Sequence, residues 1–250
     1  MLFVRGYFDD AGTHADSEVV VIGGLFGVWQ QWEKFEEEWQ VRLNDPLPGY
    51  GKPPLKKFHL SHCNARVEEF ADYSDAEQNA VIHDFRQIII DAQLASVATA
   101  IDRRAWDELV VGPYRRILGE PLGSCMIQCV DEVIRVVDPN GTGEHDITVM
   151  FDKGIWSPAL QHRADLFEKH KMVSVTFGRV QKFLPLQGAD IVATENYWHA
   201  AEWLKLGDAA PPRPHLRHYL DNMLHEGLIL DREALAEEVR RRGPDGRAPE

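Results

Sequence analysis

The chain has 250 residues, 44% of them hydrophobic and 27% charged, which is apolar material enough for one large core. Three cysteines, an odd and small number, exclude a disulfide framework and point to a reducing compartment. A net charge of −13, from 40 acids against 27 bases, excludes a uniformly basic nucleic-acid coat but leaves room for a local basic groove.

The opening run MLFVRGYFDDAG meets acid by position 9 and holds no apolar signal-peptide segment. Residues 2–8 alternate as a strand does and end at Asp9, Asp10 and a glycine. VVVIGGLFG (19–27) is expected to form a second, buried strand with close backbone packing; it lacks the Lys-Ser/Thr end of a phosphate-binding loop. The longest uncharged stretch, Val19 to Trp32, is 14 residues, short of the roughly 20 a bilayer span needs, so a cytoplasmic, soluble protein is expected. Trp29, Trp32, Phe35, Trp39 and Leu43 fall at helical spacing, and this aromatic helix could also serve a homo-oligomer interface. Residues 45–57 form a Pro/Gly loop, and Ser74 with Glu77 makes a capping box for a helix to about Asp91.

A strand is expected over 94–101, helical or irregular chain over 103–118, a helix over 122–137 and a strand over 147–152. A helix over Pro158–His170, a strand over 172–178, a long helix over Leu186–Leu204 and two short helices near 213–225 and 232–242 complete the pattern. The fold class is α/β, one mixed sheet flanked by helices with extra C-terminal helices. Residues 1–225 read as a single domain, and 226–250 as a C-terminal helix and frayed tail.

Three acids stand out by position. Asp9 and Asp152 each end a strand, and if those strands run parallel and adjacent their carboxyl ends bring the two side by side, where open α/β sheets gather ligands. Either alone is equally a turn or cap residue. Asp190 shares a helical stripe with Leu186, Ala193, Tyr197, Ala201 and Leu204, so it faces the sheet, while Glu195 points the opposite way into solvent. A buried carboxylate must be paired, accept backbone N–H groups or bind metal. Three converging carboxylates without a His or Cys pair suit Mg²⁺ or Mn²⁺, and such ions serve phosphodiester hydrolysis.

YFDDAGTH (7–14), VMFDKG (149–154) and LPLQGADIVATENYWH (184–199) resemble the landmarks of the DUF3800 family, and KKFHLSHC (56–63) resembles its short His-bearing motif. The resemblance spans roughly residues 3–205. It implies a ribonuclease H-like fold and a metal-dependent nuclease tied to mobile elements or defence. On that reading Asp9, Asp152 and Asp190 are the catalytic, metal-binding acids, with Asp10, His59 and Gln187 as neighbours. Ala11 stands where the family has Ser, and Gly188 where it has a larger apolar residue. A fourth carboxylate has no clear match; Asp84 and Asp91 are candidates by location.

Other signals weigh less. His59, His62 and Cys63 with Cys125 and Cys129 lack the spacing of a structural zinc site and read as core thiols. The tryptophans, Trp198 and Trp203 included, read as core or interface and not as a base-stacking platform. The expectation is a hydrolase that cleaves DNA or RNA through a three-carboxylate Mg²⁺/Mn²⁺ site. The alternative is a catalytically inactive ribonuclease H-like binding or scaffold protein. A basic rim from Arg5, Lys153, Arg163 or Lys182 would favour the first.

Overall fold

The computed structural model describes residues 2–155, 161 and 173–242. The alternating opening run forms β1 (Phe3–Ala11), which pairs antiparallel with β2 (Val19–Val28), Tyr7 opposite Leu25 and Asp9 opposite Gly23. β3 (Ala95–Asp102) pairs antiparallel with β2, and β4 (Asp146–Asp152) lies parallel to β1 with Phe8 level with Phe151. β5 (Val173–Gly178) follows parallel to β4, and β6 (His225–Leu230) lies parallel to β3. The order is β5-β4-β1-β2-β3-β6, and only β2 runs against the rest. The mixed α/β sheet expected from the sequence is present.

Because side chains alternate across a strand, the sheet has two unlike faces. Val4, Phe8, Val20, Ile22, Val97, Ile101, Val149 and Phe151 form one of them. Against it packs α6 (Pro121–Val137) with Cys125, Met126, Cys129, Val130 and Val133, all buried. Each fully buried side chain of this size contributes about 1.5–3 kcal/mol of transfer free energy. The opposite face, with Tyr7 and Leu25, is covered by α7 (Leu184–Leu206) and α1 (Trp29–Asn44), backed by α3 (Asp75–Asp91). Gly23 is required there: a Cβ on it would lie 2.7 Å from the Ala193 backbone of α7.

α1 buries Trp32, Phe35, Trp39 and Leu43, so its aromatic stripe belongs to the core; only Trp29 of its tryptophans is exposed. α3 starts as expected, the Glu77 N–H donating to Ser74 Oγ and Ser74 N–H to Glu77 Oε2. Residues 103–118 resolve into α4 (Arg103–Leu109) and α5 (Pro113–Leu118). A short helix missed by the sequence reading, α2 (Leu60–Ala65), follows the Pro/Gly loop.

Two expectations need correction near the C-terminus. The helix expected over 213–225 is α8 (Pro214–Asn222), ending three residues early, and His225 opens β6. Residues 226–230 are therefore sheet, because β3 offers them a parallel partner from Ser96 to Ile101. α9 (Arg232–Arg242) then follows as expected. The helix expected over Pro158–His170, apart from residue 161, together with Arg163 and residues 243–250 of the tail, lies outside the described residues. Among those described, no helix is long and apolar enough to cross a membrane.

Candidate active site at the carboxyl ends of β1 and β4

Parallel pairing of β1 with β4 brings Asp9 and Asp152 out together, one residue beyond the Phe8–Phe151 level. Both point to the face that α7 covers, since Tyr7 and Met150 pack there. Asp190, 5% exposed, comes down onto the same corner from α7. Asp10 completes the group, its Oδ2 accepting from Thr13 Oγ1 at 2.7 Å.

The acids act on one another. Burial, then the negative charge of Asp190, push the Asp9 carboxyl well above the usual carboxylate range; Asp10 and Asp152 add to the push. Burial also raises Asp10, against the Thr13 hydroxyl, with Asp152 and Asp190 adding to the rise. Asp190 is raised by burial and opposed by His59, the Leu60 N–H, His62 and Thr194. Among the described residues none of these acids has a Lys or Arg partner; Asp190 has only His59, whose Nδ1 lies 3.4 Å from Oδ2.

Several carboxyl oxygens are already held by backbone. Asp9 Oδ1 accepts from Asp10 N–H (2.8 Å), and Asp152 accepts from Gly154 N–H (2.7 Å) and Val180 N–H (3.1 Å). Asp190 Oδ2 accepts from Leu60 N–H (2.7 Å). Among the described residues no three His, Cys, Asp or Glu side chains are grouped so as to hold a metal ion. Among the described residues Asp9 Oδ2 has no hydrogen-bond donor, and Asp190 Oδ1 has only the Thr194 hydroxyl at 3.5 Å. The donors here are all oxygen, the type a hard divalent cation takes.

Gln187 stands one helical turn before Asp190, and together they hold the segment preceding α2. Gln187 Oε1 accepts from Phe58 N–H (2.8 Å) and Trp39 Nε1–H (3.1 Å), while Asp190 takes Leu60 N–H. Phe58 and Leu60 turn into the core, and His59 between them remains half-exposed beside Asp190. Gln187 is thus a buried strut, not a group that meets a ligand. His62, weighed in the sequence only for zinc, stacks parallel on His59 with centroids 4.4 Å apart, its Nδ1 3.0 Å from Glu68 Oε2. The His-x-x-His spacing on a helical turn was the signal for that pair.

Other expectations resolve plainly. Glu195 is not solvated: it is 2% exposed and ion-paired with Arg86 of α3, because α3 and α8 cover the outer side of α7. Asp84 pairs with Arg42 at 3.2 Å and Asp91 accepts from Gln87, and neither acts on Asp9 or Asp190. Cys63 lies on the α7 side of the sheet, Cys125 and Cys129 on the α6 side, all free and buried, so the thiols are core. Gly188 leaves room filled by Phe35 and Leu25, 3.0 Å from where its Cβ would stand.

Basic residues follow Asp152 in the chain. Lys153 follows Asp152 directly, and the turn from Arg179 to Lys182 is held to Asp152 through Val180 N–H. Lys56 and Lys57, just before His59, line with Gln181, Glu68 and Glu69 a surface pocket of about 590 Å³. Arg5 lies elsewhere, beside Tyr7 and Glu36.

No family model matches the chain, and no curated protein matches it in sequence. Solved structures similar to it include RNase HII in its PCNA complex from Archaeoglobus fulgidus, at 13% identity, covering 88% of this chain and 87% of that one with a TM-score of 0.41. Bst-RNase HIII in complex with Mn²⁺ is 9% identical with a TM-score of 0.46, and a point mutant of Bst-RNase HIII is 10% identical with a TM-score of 0.44. Each of these two matches covers 84% of this chain and spans 57% of the RNase HIII chain. The fold is α/β, a mixed sheet with helices on both faces. Its strand order is 3-2-1-4-5 with β2 alone reversed, to which β6 adds an edge.

Proposed function

We propose that this chain is a divalent-metal-dependent phosphodiesterase acting on nucleic acid, and that it belongs with the DUF3800 family. One observation carries the reading: acids from three separate elements gather at the strand ends and, among the described residues, without a Lys or Arg partner. Asp9, Asp152 and Asp190 would hold Mg²⁺ or Mn²⁺. Such an ion, when bound, neutralises charge on a scissile phosphate and lowers the pKa of a coordinated water. Lys153, Arg179 and Lys182, on the chain that follows Asp152 and on the turn tied to it, would hold flanking phosphates, the contacts that position a polyanion without reading its sequence. The His59–His62 pair lies against Asp190 at the same mouth and would orient the bound phosphate.

The test is metal-dependent cleavage of single- and double-stranded DNA and RNA by the wild type and by the triple variant Asp9→Asn, Asp152→Asn, Asp190→Asn. The reading expects cleavage by the wild type in Mg²⁺ or Mn²⁺ and none by the variant. Metal-dependent cleavage that survives the triple substitution would sink it.

A second reading has its own support: the carboxyl oxygens of Asp152 and one of Asp190 already serve backbone N–H groups. A protein that kept the fold for binding alone would use them that way. Such a protein would bind oligonucleotide or a partner and cleave nothing under any divalent ion.

A further inference from the structure

Most large rings of this chain are buried, as the sequence suggests, but Trp198 is not. It stands 45% exposed on α7, eight residues beyond Asp190 and so about 12 Å along the helix axis. Its neighbour Tyr197 meets it edge-on (centroids 5.5 Å, interplanar angle 68°). Tyr197 in turn packs on the loop that leaves Asp9 and Asp10: a Cβ on Gly12 would lie 2.7 Å from its ring, and Ser17 Oγ is 3.3 Å from its hydroxyl. The Trp198 ring is therefore tied through Tyr197 to the same strand end that carries the acids.

One arginine attends it. The Arg213 guanidinium lies over the indole, 5.5 Å from the ring centroid, and Arg217 is exposed one turn later on α8. Among the described residues neither has a carboxylate partner, in a chain of net charge −13. An exposed indole with an unpaired guanidinium over it complements a nucleobase and its phosphate, since every base has a π-face and every step a negative charge.

We infer that Trp198, with Arg213 and Arg217, forms a stacking subsite for an unpaired nucleotide of the substrate, three to four stacked steps from the carboxylates at about 3.4 Å per step. The inference rests on the nucleic-acid reading above and narrows it: the preferred substrate carries single-stranded character at that distance. A fully paired strand keeps its bases in the stack and cannot offer one to the indole.

Fluorescence anisotropy in EDTA, where no metal-dependent cleavage occurs, tests this with a labelled 12-nucleotide single strand and the matching blunt duplex. Wild type is expected to prefer the single strand by about tenfold. Trp198→Ala should lose about tenfold for the single strand and nothing for the duplex, and Trp198→Phe should keep most of the affinity. Arg213→Gln should reduce the slope of log affinity against log salt by about 0.7. Circular dichroism checks that the exposed substitution leaves the fold intact. Equal binding of both forms by wild type, or unchanged affinity in Trp198→Ala, overturns the subsite while leaving the nuclease reading standing. No binding of either oligonucleotide overturns both. Unchanged oligonucleotide binding together with an altered sedimentation coefficient in Trp198→Ala assigns the ring to a protein contact and also overturns the subsite.

Discussion

Helices α6 and α7 cover opposite faces of one sheet and bury very different chemistry. α6 presents Cys125, Met126, Cys129, Val130 and Val133, and its buried polar contacts with the strands, among the described residues, are weak thiol bonds to Val20 O, Ile22 O and Thr99 Oγ1, with one exposed ion pair from Arg135 to Glu226 of β6. α7 buries Gln187, Asp190, Thr194, Glu195 and Asn196 in ten residues. Burying a polar group costs free energy unless it is hydrogen-bonded, so a helix that packs for stability alone resembles α6. The polar load on α7 has specific uses: Gln187 and Asp190 hold the His59 segment, and Asn196 Nδ2 returns to Val192 O.

That contrast is testable. The largest effect is expected from the Arg86–Glu195 pair, where Glu195→Ala would strand a buried guanidinium whose Nε and Nη1 already lack partners. Loss of one member of such a pair costs about 3–5 kcal/mol, read as a lowered midpoint in urea. Replacing both, Arg86→Met with Glu195→Leu, should recover most of it. Gln187→Leu comes next, leaving Trp39 Nε1–H and Phe58 N–H unpaired at about 1–3 kcal/mol each. Because it frees the His59 segment, it should also weaken Mn²⁺ binding, which no α6 substitution of equal cost should do.

A pH effect follows at the far end of α7. Burial, with His199 nearby, lowers His225 to about 4 from its ordinary 6.5. The folded protein keeps this ring neutral while the unfolded chain protonates it, so stability is whole above pH 6.5 and falls as the pH drops toward 4. The loss is up to about 3 kcal/mol. Urea midpoints of wild type and His225→Gln across pH 4–8 should converge at the acid end if the ring is responsible. The smallest effect belongs to α6: Cys129→Ala should cost about 1 kcal/mol and leave metal binding unchanged, since burial holds that thiol up at about 12 and inert.

Local pattern carried much of this in the sequence. The alternation of β1, the apolar run of β4 and the Ser74–Glu77 box each act within a few residues, and the register that sets Asp9 beside Asp152 follows once β1 and β4 pair. What failed depended on distant partners. Helical phase turned Glu195 outward, but Arg86, 109 residues away, covers that side. HEGLIL becomes a strand only because β3 offers an edge, and its sequence alone did not outweigh the preceding helix. Trp198 read as core or interface, and its exposure leaves out the core, because spacing cannot tell a stripe that is covered from one left open. For the site, the three acids were legible as positions, whereas the hold of Asp190 on Leu60 and the stacking of His62 on His59 exist only in three dimensions.

The central claim is that the gathered carboxylates take up a divalent cation, and Mn²⁺ titration by calorimetry on wild type and Asp9→Asn tests it most directly. Among the described residues the Asp9 carboxylate accepts only one hydrogen bond, from the Asp10 N–H, so the variant should fold and its thermal midpoint should hold or rise as repulsion from Asp190 is relieved. The account predicts saturable Mn²⁺ binding by wild type and at least a tenfold weaker affinity in Asp9→Asn. No binding by wild type, or equal binding by both proteins, would contradict it.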